Sequence, residues 1–208
     1  MTLRKSILLI LTILLIDQIS KIYIKTHFEL NEDFTVYSWF KIAFVENDGM
    51  AWGAKISDMV TFISDRSAKL ILSIFRIVAL AGIGYWLWFS IKNKGSRLLV
   101  ISIIFIFAVA LGNIIDSVFY GLIFSDSLGQ VAVFLPPEGG YDTIFHGKVV
   151  DMLYLPIYSG ILPSWVPFFG GNYLSFFDPV FNVADVAIST GFCMIIFFNK
   201  KVFGTKNV

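Results

Sequence analysis

Residues 98–115 read LLVISIIFIFAVALGNII, and Asp116 follows them directly. This run holds no charged residue and approaches the roughly 20 apolar residues that span a hydrocarbon core of about 30 Å as a helix. Asn113 and Asp116 therefore lie at the edge of a candidate membrane segment. An ionisable side chain in hydrocarbon costs at least about 2.5–3.5 kcal/mol, so a carboxylate at this position indicates a function.

The same Asn-x-x-Asp spacing recurs in Asn182-Val183-Ala184-Asp185, which lies in another apolar run near the end of the chain. A third acid, Asp151, lies between the two runs in the sequence Lys148-Val149-Val150-Asp151-Met152. Any catalytic interpretation must therefore decide which two of these acids work together.

The composition favours a membrane protein over a soluble domain. Hydrophobic residues make up 57% of the chain, Phe accounts for 22 of its 208 residues, and the mean hydropathy is +0.78. Charged residues make up 15%, against about 25% in a typical soluble domain, so one soluble core of this size cannot bury the apolar side chains. The single cysteine, Cys193, excludes an intramolecular disulfide and a cysteine metal cluster.

Four segments have the length and apolar character of membrane-spanning helices. They are approximately Ser6–Ile24, Leu70–Ile91, Leu98–Ile115 and Val180–Phe198. The first follows basic residues and is similar to a secretory signal, but no small-x-small cleavage motif follows it. We therefore expect a retained first helix and an all-α membrane protein with four transmembrane helices.

The basic residues of the short loops predict the orientation of these helices. Eight of the 16 basic residues would share one side of the membrane, which the positive-inside rule makes cytoplasmic, and all 15 acidic residues lie outside these stretches. The eight are Arg4, Lys5, Lys92, Lys94, Arg97, Lys200, Lys201 and Lys206. Both termini are then cytoplasmic, and the two Asn-x-x-Asp runs share one depth at the outer face.

Two outer regions differ in character, within what we expect to be a single membrane domain over residues 1–208. Residues 26–69 include the alternating, aromatic-rich stretch 34–45, which predicts a small extracytoplasmic β-sheet. Residues 117–179 contain all six prolines and many aromatic residues that suit the headgroup interface. A lid over the site and a passive interfacial loop are equally compatible with this second region.

Five ordered sequence blocks resemble the signature of the bacterial lipoprotein signal peptidase family, also named signal peptidase II. They run from the first predicted helix to the last, so the resemblance covers nearly the whole chain. Each block alone is a weak signal, whereas five in this order on a four-helix hydropathy profile are a specific one. The blocks are Asp17-x-x-x-Lys21, Asn47-x-Gly49-x-Ala51-Trp52, Gly112-Asn113-x-x-Asp116, Val149-Val150-Asp151 and Phe181-Asn182-x-Ala184-Asp185.

The resemblance implies an aspartic endopeptidase of the bacterial inner membrane with its active site at the outer face. Such an enzyme removes signal peptides from prolipoproteins, cutting on the N-terminal side of a cysteine that carries diacylglycerol. Its partners would be these substrates and membrane lipid, with no nucleic acid and no cofactor, and we expect a monomer. The catalytic pair would be Asp151 and Asp185. Supporting positions would be Asp17, Lys21, Asn47, Gly49, Asn113, Asp116 and Asn182.

The chain departs from the family pattern in two places. Ser117 stands where the family usually has Arg, and the link to the Val-Val-Asp block is lengthened by the insertion 117–148. An arginine within a membrane helix needs a counter-charge, and Arg76 lies on the second predicted helix about two turns from its outer end. We therefore expect Arg76 to neutralise Asp116 or Asp17 in place of the family arginine.

Two carboxyl groups are sufficient for peptide hydrolysis by elementary chemistry. One must be ionised to take a proton from water and the other protonated to polarise the scissile carbonyl, and like charges a few ångströms apart cannot both ionise. Asp185 lies about one turn into a helix expected to begin near Pro179, where the helix dipole favours an anion by about 0.3–1 kcal/mol. Asp185 is therefore the expected base, with the shared proton nearer Asp151, and the pair titrates as a unit.

Several candidate site residues also have plain structural interpretations. Asn182, at position i−3 from Asp185, is suited either to binding substrate or carboxylate or to capping the helix. Asp17 and Lys21 are spaced i, i+4, so a local ion pair is favoured over substrate contact. Asn47-Asp48-Gly49 is compatible with an ordinary turn.

Two other protein classes remain open. A small transporter or proton-relay four-helix bundle would also place acids and Asn in helices, but near the midplane rather than at one edge. A noncatalytic scaffold would explain the aromatic residues and the sheet but not converging carboxylates. A metal site is not expected, because His27 and His146 belong to no motif and the sequence has no His-x-x-x-His or Cys-x-x-Cys spacing.

Overall fold

Three helices in the described chain are long and apolar enough to cross a membrane. In the computed structural model these are α1 (Leu3–Lys25), α2 (Asp65–Lys92) and a continuous helical unit over Arg97–Ile123. The structure describes residues 1–48, 64–156, 158–176 and 179–203. The chain is mostly helical, as predicted, and three of the four predicted membrane helices are confirmed at spanning length.

The third helical unit changes its winding at Asp116. It consists of α3 (Arg97–Ile115), a π-helical turn (Asp116–Tyr120) and α4 (Gly121–Ile123). The unit extends beyond its predicted end because the residues after Asp116 remain mostly apolar. Single π-helical turns inside α-helices are frequent at functional sites, and this one begins at a candidate site acid.

The fourth apolar helix is shorter than predicted. α5 (Val183–Phe197) has 15 residues, which is about 22 Å of helix, and α6 (Asn199–Phe203) follows it. The predicted start at Val180 is wrong because Asn182 caps α5. Phe181, directly before the cap, takes part in an isolated β-bridge and is therefore strand-like rather than helical.

α3 lies at the centre of the bundle and packs against α1, α2 and α5. The apolar window of its helical unit is 56% buried, against 17% for α1 and 11% for α2. The outward faces of these two peripheral helices carry large exposed apolar side chains such as Leu8 and Phe75. Such faces are stable in lipid and not in water, which agrees with the composition of the chain.

A three-stranded antiparallel sheet lies at the end of the bundle where α1 ends. Its strands are β1 (Asp33–Tyr37), β2 (Phe40–Asn47) and β3 (Val149–Tyr154), in the order β1-β2-β3. β1 and β2 confirm the strands predicted within residues 34–45. The third strand was not predicted, because its sequence, VVDMLY, is too short and too evenly apolar for an alternating pattern.

A buried apolar cluster fixes this sheet onto the helix ends. It consists of Ile24, Phe44, Tyr120, Phe124, Val150 and Met152, which come from α1, the π-helical turn and the sheet or adjoin them. Asp151 lies between two of these residues on β3 and pairs in register with Val45 on β2. The sheet, rather than a helix, therefore positions Asp151.

A second, two-stranded sheet lies within the region predicted to be a lid or a loop. β4 (Tyr158–Ile161) and β5 (Tyr173–Phe176) pair as an antiparallel hairpin. The β-bridge between Leu153 and Phe181 closes the base of this hairpin. Part of the region 117–179 is thus an ordered β-hairpin that begins and ends beside the main sheet.

Substitution of Gly191 by Ala is expected to force α3 and α5 apart. A Cβ at Gly191 would lie 2.9 Å from the Ser102 carbonyl oxygen and 3.2 Å from Ile106 Cγ1, and a backbone carbonyl cannot rotate away. We expect Gly191→Ala to lower the free energy of unfolding by about 1–3 kcal/mol, because overpacking a filled contact has this cost. Thermal unfolding of the purified protein in detergent measures the loss.

Gly82→Ala is the matched control, because a Cβ at Gly82 on α2 meets no atom within 4 Å. This variant should leave stability unchanged or raise it by up to about 1 kcal/mol through helix propensity. Equal stability of the two variants would contradict the close contact between α3 and α5.

Candidate active site

A buried lysine ammonium joins α1 to α3. Lys21 Nζ lies 2.7 Å from Asp116 Oδ2 and 3.0 Å from Asp17 Oδ2. It also donates a hydrogen bond of 2.8 Å to Asn113 Oδ1. Asp17, Lys21 and Asp116 are each at most 1% exposed. An ammonium has three N–H donors, and three side-chain oxygens surround it here.

Gln18 and Tyr120 complete this group, which we name the Lys21 cluster. Gln18 Nε2 donates to Asp116 Oδ1 at 2.9 Å and to Asp17 Oδ2 at 3.1 Å. The Tyr120 hydroxyl donates to Gln18 Oε1 at 3.2 Å. Gly112 permits the close approach of the two helices, because a Cβ there would lie 2.5 Å from Asp17 Oδ2. The glycine of that sequence block therefore has a steric role.

Asp151 lies in a second polar cluster and is 4% exposed. Asn182 Nδ2 donates to Asp151 Oδ1 at 2.7 Å, and Asn47 Nδ2 donates to Asp151 Oδ2 at 3.1 Å. Each carboxyl oxygen thus has an amide donor from a different element, the end of β2 on one side and the start of α5 on the other.

Asn182 also binds Asp185 through a capping box at the start of α5. The Asn182 side-chain oxygen accepts the Asp185 backbone N–H, and the Asp185 carboxylate accepts the Asn182 backbone N–H, both at 3.0 Å. The carboxylate lies at the N-terminus of the helix, where backbone dipoles stabilise negative charge. One asparagine therefore bridges the two acids that the sequence pairs, and we name Asp151, Asp185, Asn182 and Asn47 the Asp151 cluster.

The surroundings of Asp151 favour its protonated form. The pKa of Asp151 is raised to about 7, and burial is the largest influence on it. The nearby charge of Asp185 contributes to this increase, whereas the hydrogen bonds from Asn47 and Asn182 and the charge of Lys21 oppose it. Near neutral pH, Asp151 is therefore divided between its protonated and ionised forms.

A third buried polar cluster fixes the insertion to the sheet. Lys25 on α1 forms an ion pair with Glu46 on β2 and donates to the Ser127 hydroxyl at 2.8 Å. Ser127 donates to Glu46 Oε1 at 3.0 Å, and Lys148 Nζ lies 2.9 Å from Glu46 Oε2. Glu46 directly precedes Asn47, so this Glu46 cluster supports the strand that supplies a donor to Asp151.

At Glu46 and Lys148, charge pairing outweighs the effect of burial on the pKa. Burial would raise the pKa of Glu46, but the ammonium groups of Lys25 and Lys148 hold that pKa below its ordinary value. Burial would lower the pKa of Lys148, but Glu46 holds it above its ordinary value. The Lys25 ammonium also lies 5.0–5.6 Å from three aromatic ring centroids, those of Phe44, Phe124 and Tyr141.

The sequence-predicted site residues within the described chain fall into two of these clusters. The Lys21 cluster contains Asp17, Lys21, Asn113 and Asp116, and the Asp151 cluster contains Asn47, Asp151, Asn182 and Asp185. Gly49 lies outside the described residues. The local Asp17–Lys21 ion pair is confirmed, and Asn182 is both a helix cap and a donor to a carboxyl group.

The role expected of Arg76 stays a prediction. Lys21 is an ion-pair partner of both Asp17 and Asp116. Arg76 Nη1 donates to Ser117 Oγ at 3.3 Å, and the charge of Asp116 also acts on the Arg76 guanidinium. The sequence did not reveal the pairing of Lys21 with Asp116, because i, i+4 spacing reveals neighbours on one helix and not contacts between helices.

Six further residues of the three clusters were not predicted, namely Gln18, Tyr120, Lys25, Glu46, Ser127 and Lys148. Spacing offers one signal, because Lys25 follows Lys21 by four residues and so lies on the same face of α1. Gln18 also lies on α1. The remaining residues lie outside α1, and only tertiary packing brings them to this helix.

The fold is similar to that of two solved bacterial membrane enzymes, both determined by the in meso method. The structure at 1.9 Å resolution has a TM-score of 0.59, with 23% identity, over 99% of this chain and 96% of its own. The structure at 2.3 Å resolution has a TM-score of 0.57, with 24% identity, over 99% of this chain and 94% of its own. The chain thus has the fold of a bacterial membrane enzyme.

Residues 9–200 match the family described as Signal peptidase (SPase) II, and the chain belongs to this family. The lipoprotein signal peptidase of Porphyromonas gingivalis is 46% identical over 189 residues, which cover 90% of this chain and 79% of that protein. The lipoprotein signal peptidase of Amoebophilus asiaticus is 36% identical over 185 residues, which cover 87% and 71% respectively. The family indicated by the five sequence blocks is thereby confirmed.

Loss of the Lys21 charge is expected to destabilise the protein strongly. Lys21→Met leaves Asp17 and Asp116 buried without their cation, and removal of one partner of a buried ion pair costs about 3–5 kcal/mol. We expect a large fall in the thermal unfolding midpoint in detergent. Addition of Asp116→Asn should recover part of the loss, because it removes one of the stranded charges.

Lys41→Met provides the control for this charge deletion. The Lys41–Asp33 pair has the same chemistry at 2.6 Å, but its side chains are 32% and 47% exposed. Its loss should cost at most about 1 kcal/mol, because water screens the pair. A double variant no more stable than Lys21→Met alone would contradict direct pairing of Lys21 with Asp116.

Proposed function

We propose that this chain removes signal peptides from prolipoproteins as an aspartic endopeptidase. The cleaved bond would lie on the N-terminal side of a cysteine that carries diacylglycerol. Membership of the signal peptidase II family and the 46% identity to a lipoprotein signal peptidase support the substrate class. The observation that carries the proposed chemistry is the position of Asn182, which hydrogen-bonds to both Asp151 and Asp185.

Asp185 is the proposed base, and Asp151 is the proposed acid. The N-terminus of α5 stabilises negative charge on Asp185, whose carboxylate accepts the Asn182 backbone N–H. Asp151 carries the shared proton, because burial raises its pKa to about 7. The two carboxyl groups interact and therefore titrate as a pair rather than as independent groups.

Hydrolysis then takes two balanced steps. A water molecule gives a proton to Asp185 and its oxygen bonds to the scissile carbonyl carbon, while Asp151 gives its proton to the carbonyl oxygen. The C–N bond of the tetrahedral intermediate then breaks. Asp185 gives its proton to the leaving cysteine nitrogen, and Asp151 recovers a proton from a hydroxyl of the intermediate. Both carboxyl groups finish in their starting states, so the chemistry needs no cofactor.

The other predicted residues are proposed to position this pair. Asn47 and Asn182 hold Asp151 through its two oxygens. The charge of Lys21 acts on both Asp151 and Asp185, and the rest of the Lys21 cluster fixes that charge in place. The supporting role of Gly49 rests on the family resemblance alone.

An apolar groove beside Asp185 supports recognition of the substrate through its lipid. A cavity of about 580 Å³ extends along α5, and its lining includes Asp185, Ser189, Met194 and Phe197. Each buried CH₂ of an acyl chain gives about 0.8 kcal/mol, so two long chains supply more binding energy than a few peptide contacts. The diacylglyceryl group is therefore the proposed main source of substrate affinity.

The proposed site lies at the outer face of the bacterial inner membrane, in a monomer with both termini in the cytoplasm. The distribution of basic residues in the short loops supports this orientation. A transporter or proton-relay bundle is not favoured, because Asp151 lies on a sheet at the end of the bundle. Transport sites lie near the membrane midplane instead.

Asp151→Asn and Asp185→Asn should each abolish cleavage and leave the protein folded. The amide keeps the shape of the side chain but cannot serve as base or proton donor, a loss of at least about 10²–10⁴-fold. A gel-shift assay with a diacylglyceryl prolipoprotein measures cleavage, and thermal unfolding in detergent measures folding. Asp33→Asn, a change in an exposed acid of the same sheet, is the control and should cleave at the wild-type rate.

Two results would contradict this assignment. If Asp151→Asn cleaved normally while Asp116→Asn lost turnover without loss of stability, the two Asn-x-x-Asp runs would form the catalytic pair instead. The unlipidated precursor is the substrate control and should be cleaved far more slowly. Equal cleavage of both precursors would disprove recognition through lipid.

The pH dependence of cleavage should report the proton on Asp151. If the protonated carboxyl is the active form, kcat/KM falls as the pH rises through about 7, the pKa of Asp151. Asn47→Ala removes a hydrogen bond that lowers this pKa, so the falling limb should move to higher pH. Asn93→Ala, at the far end of α2, should leave the limb in place.

A purely structural effect of Asn47→Ala would lower the whole profile without moving its limb. Movement of the limb to lower pH, or no movement, would therefore show that Asp151 is not the titrating acid. Rates measured in one detergent across the pH range, with unfolding midpoints recorded at each pH, separate the two effects.

A further inference from the structure

The β4–β5 hairpin belongs to a long stretch of chain without charge. Residues 152–177 contain no Asp, Glu, Lys, Arg or His. The described part of this stretch is strand and turn, not a membrane-spanning helix. Surface loops in water usually carry charged residues, so the composition of this hairpin is that of a segment in contact with lipid.

The tip of the hairpin exposes its aromatic side chains almost completely. Phe168 is 98% exposed, Trp165 79% and Phe169 63%. Phe168 also has a φ of +68°, a backbone conformation that bulky side chains rarely adopt. A glycine would satisfy this turn at lower cost. The position therefore retains an aromatic side chain despite unfavourable exposure and an unfavourable backbone.

The tip is an ordered turn rather than a loose loop. Gly171 N donates to the Leu162 carbonyl and Leu162 N donates to the Asn172 carbonyl, both at 2.9 Å. Within the turn, Gly170 N donates to the Val166 carbonyl at 2.9 Å. These bonds fix the backbone of the turn, on which the aromatic side chains are exposed.

The base of the hairpin is joined to both elements of the candidate site. Leu153 N donates to the Phe181 carbonyl at 2.6 Å, and Phe181 N donates to the Leu153 carbonyl at 2.9 Å. Leu153 follows Asp151 by two residues, and Phe181 directly precedes Asn182. The hairpin thus leaves the molecule where the apolar helix α5 begins, at the boundary between the helix bundle and the sheet.

We propose that the hairpin tip, formed by Trp165, Phe168 and Phe169, inserts into the bilayer leaflet on the sheet side of the bundle. Trp and Phe suit this depth, because aromatic rings favour the boundary between headgroups and acyl chains. The absence of charge matches lipid better than a protein partner with a polar rim. A stable contact with a second copy would need about 800 Å² from each partner, more than a narrow turn offers.

Insertion has a direct consequence for the site. The two strands of the hairpin connect the tip to the β-bridge at the hairpin base. This bridge joins the strand of Asp151 to the cap of α5. The hairpin therefore holds the Asp151 cluster at a fixed depth relative to the acyl chains. The hairpin acts as a membrane anchor of the site, and this role is independent of the proposed reaction.

A fluorescent probe at the tip tests the proposal. The chain has a single cysteine, so Cys193→Ser followed by Phe168→Cys gives one site for an environment-sensitive nitrobenzoxadiazole label. The labelled protein is reconstituted into phosphatidylglycerol and phosphatidylethanolamine nanodiscs, with and without doxyl-labelled lipid. Gln130→Cys, at an exposed residue of the insertion 117–148, is the matched control.

We expect blue-shifted emission at position 168, quenched by doxyl lipid and not by aqueous iodide, and the reverse at position 130. Quenching of position 168 by iodide would place the tip in water and overturn the proposal. Protection of position 168 from both quenchers would indicate a protein contact, such as a second copy, and would overturn it as well.

A second label position provides an independent measure. With the label at Phe169→Cys, Phe168→Asp should reduce the inserted population about tenfold or more, the equivalent of one buried Phe side chain. Phe168→Leu, which keeps the position apolar, should retain most of the doxyl quenching. Equal quenching in the two variants would overturn the proposal. Neither measurement requires substrate, so the outcome is independent of whether the chain is a peptidase.

Discussion

The rest of the structure depends on the ion pairs and the hydrogen bond of the Lys21 ammonium group. A lone charge at this depth would be costly, and two buried carboxylates without a cation would be costlier still. The three acceptors around Lys21 Nζ reduce that cost, but only if α1 and α3 approach as closely as Gly112 allows. The charge therefore fixes the position of the helix ends, and its electrostatic effect reaches Asp151 and Asp185.

A second cation on the same face of α1 extends this constraint from the helices to the sheet. Lys25 follows Lys21 by one helical turn and pairs with Glu46, next to Asn47 on β2. One helix thus orders α3 through Lys21 and β2 through Lys25. The insertion adds Ser127 and Lys148 to the second cluster, so it acts as a support for the sheet in the described structure. Asp151 depends on both constraints, because its donors come from β2 and α5.

The sequence predicted the parts of this structure that depend on local pattern. Hydropathy located the three long helices, and alternation located β1 and β2. Five spaced blocks identified the family and indicated Asp151 and Asp185 as the catalytic pair. The predicted start of α5 was wrong, and the strand that carries Asp151 and the pairing of Lys21 with Asp116 were not predicted. Each of these depends on contacts between distant segments. Phe181 pairs with β3, Asp151 pairs with β2, and Asp116 pairs with Lys21. Spacing along one helix cannot reveal such contacts.

The difference between the two acid pairs lies in their partners. Asp17 and Asp116 share a buried ammonium, which offsets part of their negative charge and holds both carboxyl groups in place. The hydrogen bonds of Asp151 and Asp185 in the described structure come instead from amide side chains and a backbone N–H, which are neutral donors. Neutral donors orient a carboxyl group and still allow it to gain or lose a proton, whereas a buried cation favours the ionised form strongly. A site that needs both rigidity and proton transfer therefore benefits from separating the two tasks. The Lys21 cluster supplies the rigidity, and the proposed catalytic pair keeps a proton that it is able to transfer.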